Sequence, residues 1–442
     1  MTVAPTQSFQ LAADPAGQTV GDHLRQLGAT LSGHSLAEAA RQRRPLFGGD
    51  FGSPLLAARD SALEHNMRQM DDYCAQRGVT LIPHGKTAMA PQLVERQLRR
   101  GAWGVAAASV SQARVFHRHG IPRILIANQI VDAAGIAWLA RHIADPERRL
   151  ICYVDSLAGV RLLADGLRHA AGRLDVLVEV ATPGGRAGCR DVAQAVEVAA
   201  AAAAEDRLRL VGVTGFEGIL VRDRTPDSVG TVRAMLRHVR AAAVAIAEAR
   251  HFAGLPEILV TAGGSIFFPE AVEELAGGWN LEAPVRFALR CSCYATHDSG
   301  LYTELSPFGT PVLPGTAPQR PALELWAQVL SRPEPELAIL NFGKRDAPFS
   351  EGFPSPFRIR AAGLGGAGTE TAAGGELDAA GTEIVDLNDQ HAYLRLPASH
   401  GLAVGDWIGM GISHPCLALD RWSVLPIVDD ADTVVDLYRM FF

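Results

Sequence analysis

The 442-residue chain has little cysteine, no excess of basic charge and no long apolar run, and each absence excludes a class of protein. Its six cysteines are scattered and include no CxxC pair, so neither a disulfide framework nor a four-cysteine zinc knuckle is expected. The formal net charge of −7 argues against a dedicated nucleic-acid-binding protein, which usually has a basic domain or stripe. The alanine-rich runs at 199–204 and 241–247 are too short and too weakly apolar to cross a membrane.

The composition is that of a folded globular protein, with 48% hydrophobic and 20% charged residues. The N-terminal segment has no basic stretch followed by an apolar one, so no secretory signal peptide is predicted. The expectation is a cytoplasmic protein with neither a membrane nor a nucleic acid as partner.

Short apolar segments alternate with longer amphipathic ones between Leu55 and Gly309, which is typical of repeated βα units. Eight such units favour a (β/α)8 barrel, an α/β fold, although the same alternation is compatible with an open parallel sheet. The eight strands are predicted to begin at Thr80, Gly104, Arg123, Leu150, Val176, Leu210, Glu257 and Val285. Side chains that suit helix N-caps are Asp60, Ser111, Asp155 and Ser228.

Three domains are predicted from the change of pattern along the chain. Residues 1–50 are expected to be a lead-in segment with short helices, at 22–27 and 36–40, that packs with the β domain. Residues 51–310 are assigned to the barrel. Residues 311–442, rich in Gly and Pro with short apolar runs, are assigned to a smaller C-terminal β domain, in which 361–381 is a long hairpin or surface loop.

Lys86 follows the first predicted barrel strand, and a (β/α)8 barrel places its active groups at the ends of its strands. A partly buried lysine has a lowered pKa, and its neutral amine can form a Schiff base. A surface lysine at a strand end is the alternative, and position alone favours that alternative.

Gly263, Gly264 and Ser265 follow the seventh predicted strand. Consecutive glycines let backbone N–H groups converge on an anion, and Ser265 adds a hydroxyl group. Barrels often bind phosphate at the loops after strands seven and eight. A phosphate-binding loop and a plain tight turn are equally compatible with this pattern.

His414 and Cys416, on either side of Pro415, supply an imidazole and a thiol, which are two good zinc ligands. If the segment is extended, side chains at i and i+2 project to the same side. Two protein ligands leave positions for water or substrate, which suits a catalytic metal site more than a structural one. A buried cysteine beside an unrelated histidine is an equally weighted alternative.

Three further residues are candidates on weaker grounds. His391 is either an acid/base group or a structural histidine, and the structural interpretation is favoured. Arg186 follows the fifth predicted strand, where it would bind a carboxylate, a surface ion pair being the alternative. Tyr294 follows the eighth predicted strand and is a candidate for the lining of a site.

The segments around these candidate residues, taken in their order along the chain, resemble a known family. It is the fold-type III pyridoxal-phosphate enzymes related to D-threonine aldolase and D-serine dehydratase, which have an alanine-racemase-like N-terminal barrel. The resemblance runs from about Leu55 to the C-terminus. The segments that carry it are His84-Gly-Lys86-Thr87, Val178-Glu179 through Gly188, Thr261-Ala-Gly-Gly-Ser265, Arg290-Cys-Ser-Cys-Tyr294, and Gln390-His391 with His414-Pro-Cys416.

The resemblance implies roles for the candidate residues. Lys86 would carry pyridoxal 5′-phosphate, and His391 would act with it in catalysis. His414 and Cys416 would hold a divalent metal ion, with zinc expected. The residues implied to contact the cofactor are Lys86, Gly263, Gly264, Ser265, Tyr294 and Arg186.

The sequence departs from the family pattern at three places. Ala88 stands where a histidine usually follows the lysine and threonine, residues 181–184 replace Asp-x-Gly, and Cys291-Ser292 replaces Pro-Gly. These departures bear on the substrate contacts rather than on the cofactor lysine.

The activity implied is the conversion of a D-β-hydroxy amino acid, such as D-serine or D-threonine, into a 2-oxo acid and ammonia. Cys416 favours this dehydratase reaction, because dehydratases of the family carry His-x-Cys whereas its aldolases tend to carry His-x-Asp. Aldol cleavage to glycine and an aldehyde is the first alternative. A non-catalytic cofactor-binding protein is the second, which the additional residues 311–442 disfavour. A homodimer is also implied, in which the β domain of one chain closes the barrel of its partner.

Overall fold

The structure is a computed structural model that describes residues 9–21, 24–309, 311–362 and 376–442. The chain divides into two compact units. The barrel unit consists of residues 9–13, Arg68–Ser292 and Leu305–Ala317. The β unit consists of Asp14–Met67, Cys293–Glu304 and Pro318–Phe442. The described residues from 14 to 50, which were expected to pack with the β domain, lie in the β unit. Residues 51–67 and Cys293–Glu304, which were assigned to the barrel domain, lie in the β unit as well.

Two elements precede the barrel strands, and both belong to the β unit: Leu36–Arg41 (α1) and Leu55–Arg59 (β1). Glu38 and Ser35 form a capping box at the start of α1. The predicted helix at 22–27 is wrong for its described part, because residues 24–26 form a bend and a turn and Leu27 forms a β-bridge with Phe51.

Eight parallel strands form the barrel sheet, and each matches a predicted strand. Their bounds are Thr80–Leu81 (β2), Val105–Ala107 (β3), Arg123–Gln129 (β4), Arg149–Val154 (β5), Leu174–Val180 (β6), Leu208–Gly215 (β7), Ile258–Ala262 (β8) and Val285–Leu289 (β9). The sheet runs in the order β2-β9-β8-β7-β6-β5-β4-β3.

Backbone hydrogen bonds join the two ends of this sheet. The amide of Trp103 donates to the carbonyl oxygen of Leu81 at 2.9 Å, and the amide of Ala106 donates to that of Pro83 at 2.9 Å. The sheet therefore closes, and the predicted (β/α)8 barrel is confirmed. Its interior is filled by small and branched side chains from every strand, including Ile82, Leu125 and Leu259.

Helices separate the barrel strands in the predicted order. Their bounds are Asp60–Arg77 (α2), Pro91–Arg99 (α3), Val110–Arg118 (α4), Ala133–His142 (α5), Leu157–Leu167 (α6), Val192–Ala204 (α7), Pro226–Glu248 (α8) and Phe268–Leu275 (α9). Within the described ranges, every helix falls short of the combined length and apolar character that a membrane span requires.

The observed N-caps correct three of the predicted ones. Ser109 caps α4 instead of Ser111, Ser156 caps α6 instead of Asp155, and Thr225 caps α8 instead of Ser228. Helix α8 starts earlier than expected because Pro226 has no N–H to satisfy and its φ suits the first helical position.

The β unit contains the remaining strands and two short helices. The helices are Leu301–Leu305 (α10), which extends one residue beyond the unit, and Pro415–Leu419 (α11). The strands are Leu323–Glu334 (β10), Leu337–Leu340 (β11), Ser355–Arg360 (β12), Glu376–Leu377 (β13), Glu383–Leu387 (β14), Ala392–Arg395 (β15), Trp407–Gly411 (β16), Val424–Val428 (β17) and Val434–Arg439 (β18). The predicted loop at 361–381 lies mostly outside the described residues.

Strand β1 connects the early and late parts of the β unit. It pairs antiparallel with β10 and parallel with β17, within the order β13-β12-β16-β10-β1-β17-β18. Leu24, Leu31 and Leu36 pack into one buried core with Trp326 and Leu437. Residues 14–67 therefore complete the core of the β unit.

Candidate functional site

Lys86 lies in a single 3-10 turn, Gly85–Thr87, directly after β2. Its side chain is half-buried, and its backbone amide donates to Nδ1 of His84 at 3.5 Å. Burial, together with the charges of Lys86 and Arg290, lowers the pKa of His84, so its imidazole is neutral and can accept this bond. The turn requires glycine at 85, because a Cβ there would lie 2.4 Å from Cζ of Phe116.

Polar side chains from other strands lie at the same end of the barrel. Glu179, on β6, is buried and accepts a hydrogen bond from Nε2 of Gln129 at 2.6 Å. Burial raises the pKa of Glu179, and the Gln129 bond opposes that effect. Arg290 donates from Nε to Oγ1 of Thr261 at 2.9 Å, and its guanidinium lies 5.8 Å from the ring centre of Tyr153.

The turn between β8 and α9 holds the predicted anion-binding residues. Gly263 has a φ of +91°, a left-handed conformation that glycine adopts without strain. The amides of Gly263 and Gly264 both donate to the carboxylate of Glu217, the first at 3.2 Å. Ser265 Oγ accepts a hydrogen bond from the amide of Ser292 at 3.2 Å. The amides thus converge on an anionic group, as an anion-binding turn requires.

Glu217 is fully buried, and burial raises the pKa of its carboxyl group. The hydrogen bonds donated by the backbone amides of Gly264 and Gly263 lower this pKa and so oppose the effect of burial. Glu217 was not among the site residues predicted from the sequence. The available signal was a carboxylate between glycines, just after strand β7, in a barrel whose functional groups lie at strand ends.

The other predicted contacts are spread over both units. Arg186 is exposed in the barrel unit, with its guanidinium 5.1 Å from the ring centre of Phe216. Tyr294 is buried in the β unit, where its carbonyl oxygen accepts a hydrogen bond from Gln319 at 3.1 Å. His391 is exposed in the turn between β14 and β15 of the β unit. Their predicted roles stay predictions.

The residues of the barrel unit fit a pyridoxal-phosphate cofactor. Lys86 supplies an amine at a strand end, and Gly264 leaves space, since a Cβ there would meet only ordinary contacts at 3.4 Å. The hydroxyl of Tyr153 is buried beside the side chain of Thr214 and adds a polar group to the barrel interior. Lys86 is also one of only two lysines in the chain, the other being the exposed Lys344.

The predicted metal ligands lie at the start of α11 in the β unit. His414 is extended and occupies the N-cap position, and Pro415 begins the helix. The expectation of an extended His-Pro-Cys segment is therefore wrong beyond His414: proline at the first helical position places Cys416 in the first turn of a helix.

A second cysteine lies beside this pair. Sγ of Cys293 is 3.6 Å from Sγ of Cys416. Nδ1 of His414 is buried without a hydrogen-bond partner, and its ring stacks with that of Tyr302 at 6.3 Å between centres. Cys293 was not among the predicted site residues, although it directly follows Cys291-Ser292, where the sequence departs from the family motif.

The chemistry of these donors fits zinc, which binds thiolate and imidazole. Across the residues that the structure describes, however, no three His, Cys, Asp or Glu side chains are already arranged to hold a metal ion. His414 and Cys416 fit a metal site by the type of their donors and by the orphaned Nδ1.

Models of known protein families match the barrel region and the C-terminal region of the chain. Residues 59–262 match the alanine racemase N-terminal domain, and residues 322–428 match the serine dehydratase domain. In both parts, the chain is thus similar to the fold-type III pyridoxal-phosphate enzymes of the D-serine dehydratase and D-threonine aldolase family. The family resemblance inferred from the sequence is thereby confirmed.

Individual members of the family align with much of the chain. D-threonine aldolase of Arthrobacter sp is 27% identical over 93% of this chain and 97% of its own length. A 3-hydroxy-D-aspartate aldolase of Paracoccus denitrificans is 28% identical over 68% of this chain and 74% of its own. The crystal structure of D-threonine aldolase from Filomicrobium marinum has a TM-score of 0.72 and 26% identity, covering 88% of this chain and 95% of that one.

A dehydratase is also among the relatives. D-threo-3-hydroxyaspartate dehydratase of Delftia sp. is 28% identical over 46% of this chain and 52% of its own length. The family therefore includes enzymes of both reaction types.

Proposed function

We propose that this chain is a pyridoxal-phosphate- and metal-dependent lyase of D-β-hydroxy amino acids that releases a 2-oxo acid and ammonia. The observation that carries the choice of dehydration is the thiol of Cys416, two residues after His414 and 3.6 Å from a second thiol, Cys293. Soft thiol ligands favour zinc over harder ions such as magnesium and manganese. Zinc held there would supply Lewis-acid chemistry at the β-hydroxyl group, which supports its departure as hydroxide.

Lys86 is proposed to hold the cofactor through Nζ. When bound, pyridoxal phosphate supplies an electron sink for the charge that develops at the substrate Cα. Nζ of Lys86, displaced by the substrate amine, would then remove the Cα proton. His84 keeps the lysine turn in place through its bond to the Lys86 amide.

The turn after β8 is proposed to bind the cofactor phosphate. The hydroxyl of Ser265 is the proposed donor, at the end of β8 where barrels often bind phosphate. The amide of Gly264 would become a second donor only by exchanging its bond to Glu217 for one to the phosphate. Arg186 and Tyr294 are proposed as further cofactor contacts, as the family resemblance implies.

Aldol cleavage is the second candidate, and the aldolases of Arthrobacter sp and Paracoccus denitrificans favour it. That reaction needs a base that removes the proton of the β-hydroxyl group. His391 is the base expected from the sequence, but its exposed position in a hairpin turn gives this role no further support.

Three finer points complete the proposal: the metal is zinc, the enzyme is a homodimer, and it works in the cytoplasm. Zinc is supported by the thiol and imidazole donors of Cys416 and His414. The dimer rests on the family resemblance. The cytoplasmic location rests on the expectation drawn from the sequence.

The decisive assay incubates the purified enzyme with D-serine and with D-threonine and measures ammonia, 2-oxo acid, glycine and acetaldehyde. We expect ammonia and 2-oxo acid in equal amounts, with turnover abolished by a chelator. Lys86→Ala should abolish turnover, whereas Lys344→Ala, the matched change of the other lysine, should retain it. Borohydride treatment followed by peptide mapping should attach the cofactor to Lys86.

The alternatives have distinct outcomes in the same assay. Glycine and acetaldehyde from D-threonine, without ammonia, would establish the aldolase and overturn the dehydratase. Full turnover after chelation would contradict the proposed requirement for a metal ion. A borohydride tag on Lys344 would contradict the assignment of the cofactor lysine.

A further inference from the structure

A buried carboxylate connects the loop that follows β7 to the turn that follows β8. Glu217 lies two residues after the end of β7, and its side chain is fully buried. Its Oε2 accepts a hydrogen bond from the amide of Gly263 at 3.2 Å, and its Oε1 accepts one from the amide of Gly264. Each carboxylate oxygen therefore binds one of two consecutive amides in a segment that lies 46 residues later in the sequence.

A second side chain of the same loop binds the same turn with the opposite polarity. Arg224 donates hydrogen bonds to the carbonyl oxygen of Ile266 and to the carboxylate of Glu270. Its guanidinium also lies 5.1 Å from the ring centre of Phe267. The loop thus holds the turn at two points, because a carboxylate binds N–H groups where the turn begins and a guanidinium binds a carbonyl group where it ends.

These contacts determine where the hydroxyl of Ser265 lies. Glycine has a wide range of backbone conformations, so two consecutive glycines, Gly263 and Gly264, leave the next residue poorly positioned unless their peptide groups are held. The carboxylate of Glu217 holds both of them. The oxygen of the Ser265 hydroxyl is held in addition by the amide of Ser292, which donates to it at 3.2 Å.

Glu217 has two conceivable relations to a bound phosphate. The carboxylate keeps both amides, or it gives them up to the phosphate. A buried carboxylate that lost its donors would keep the free-energy cost of its desolvation without compensation, and this cost is larger for a charged group than for a neutral one. The hydroxyl of Ser265, in contrast, can bind a phosphate while both glycine amides stay on the carboxylate. The contacts therefore favour the first relation.

We infer that Glu217 is a positioning residue for the cofactor phosphate, which keeps its hydrogen bonds to Gly263 and Gly264 when the cofactor is bound and so aligns Ser265 with the phosphate. This inference rests on the cofactor site proposed above. Glu217 acts through the backbone of the turn, so its removal should affect the binding of the phosphate group and not that of the pyridine ring.

The test titrates the full-length, cofactor-free protein with pyridoxal phosphate and with pyridoxal, which lacks the phosphate, and follows protein fluorescence. Glu217→Gln keeps the size of the side chain but turns an NH2 group toward one of the two amides. It should weaken pyridoxal phosphate binding about tenfold and leave pyridoxal binding unchanged. The matched control is Glu257→Gln, at the opposite end of β8 and paired with Arg286, which should alter neither affinity.

Other results of the titrations would overturn the inference. Tighter binding of pyridoxal phosphate to Glu217→Gln would show that the carboxylate competes with the phosphate. Unchanged binding would show that Glu217 has no part in it, and an equal loss for both ligands would show a role in stability alone. If the unmodified protein binds both ligands equally, the proposed phosphate site fails and the inference with it, whereas the assay of ammonia and 2-oxo acid tests the reaction separately.

A crystal structure of the unmodified protein with bound cofactor decides the question even if Glu217→Gln does not fold. We expect both carboxylate oxygens of Glu217 at about 3 Å from the two glycine amides, with the phosphate on the hydroxyl of Ser265. A carboxylate that has left the amides, with the phosphate in its place, would overturn the inference.

Discussion

A buried carboxyl group in the barrel unit depends on hydrogen-bond donors to offset the free energy of its desolvation. Glu217 is fully buried, and the two glycine amides of the β8–α9 turn offset part of the cost of its desolvation. Burial nevertheless dominates and raises the pKa of this carboxyl group. The ionised form of Glu217 is therefore less stable in the folded protein than in the unfolded chain.

This raised pKa predicts a pH-dependent difference between Glu217→Gln and the unmodified protein, both prepared without cofactor. The stabilisation due to the raised pKa is complete below the ordinary pKa of glutamate, about 4.3, and is lost as the pH rises through the higher folded value. The variant should therefore gain free energy of unfolding relative to the unmodified protein as the pH increases. Each unit of raised pKa corresponds to about 1.4 kcal/mol.

Urea unfolding between pH 4 and pH 8 measures this difference. The same change at Glu282, an exposed residue paired with Arg250, is the control for replacing a glutamate away from this turn. A difference in the free energy of unfolding that is the same at every pH would not contradict the prediction. Such a difference is expected because glutamine has one acceptor oxygen, whereas a carboxylate offers one to each of the two amides. A flat difference for Glu217→Gln would contradict the raised pKa.

At the scale of elements, the turn between β8 and α9 combines two glycines with different requirements. Gly263 needs its left-handed φ of +91°, and a Cβ there would lie 2.4 Å from Cδ2 of Leu289. Gly264 is free of both constraints, because its Cβ would meet its neighbours at 3.4 Å. The first glycine is required by the turn itself, whereas the second has open space beside its Cα that a ligand can occupy.

Alanine at each position should separate these two requirements. Gly263→Ala should lower the free energy of unfolding by about 1–3 kcal/mol, because a residue with a side chain is strained at this φ. Gly264→Ala should leave stability almost unchanged but weaken pyridoxal phosphate binding about tenfold, because a methyl group occupies space proposed for the phosphate. Thermal unfolding without cofactor and a fluorescence titration with the cofactor measure the two effects. If Gly264→Ala binds the cofactor as tightly as the unmodified protein, the phosphate site lies elsewhere.

The whole molecule consists of two units, each with its own core, and the proposed cofactor and metal residues are distributed between them. Lys86 belongs to the barrel unit, whereas His414 and Cys416 belong to the β unit. The family resemblance implies that two protomers cooperate, the β domain of one with the barrel of the other. Such sharing of a site makes activity depend on assembly.

We therefore expect a solution mass of twice the 47.0 kDa of one chain, measured by light scattering. Mixing Lys86→Ala with Cys416→Ser, each inactive alone, should restore about a quarter of the full activity after subunit exchange. Half of the dimers would then be mixed, and each mixed dimer would contain one site without either substitution. An active monomer would rule out the dimer. A stable dimer without restored activity would show instead that each chain uses its own cofactor and metal residues.

The alternation of the sequence predicted the eight βα units by itself, since strands and helices have local patterns that differ in period. Closure into a barrel instead of an open sheet depends on the hydrogen bonds from Trp103 and Ala106 to the segment that follows β2. The order of the eight strands and the position of Lys86 after β2 followed from that local information. The candidate groups after β8 were also predictable, because consecutive glycines with a serine are a local signal. Helix starts were less certain, as the caps Ser109 and Thr225 show, because several polar side chains near each start can serve as the cap.

Only the tertiary structure decided which distant residues meet. Strand β1 joins the β unit through hydrogen bonds to β10, which starts more than 250 residues later, and no local pattern encodes that pairing. The same holds for the carboxylate of Glu217 on the amides of Gly263 and Gly264, and for the sulfur atoms of Cys293 and Cys416, which are 123 residues apart in sequence. The periodicity of a segment indicates which secondary structure satisfies its backbone hydrogen bonds and which face it buries. The contacts above depend instead on how separate segments pack in three dimensions.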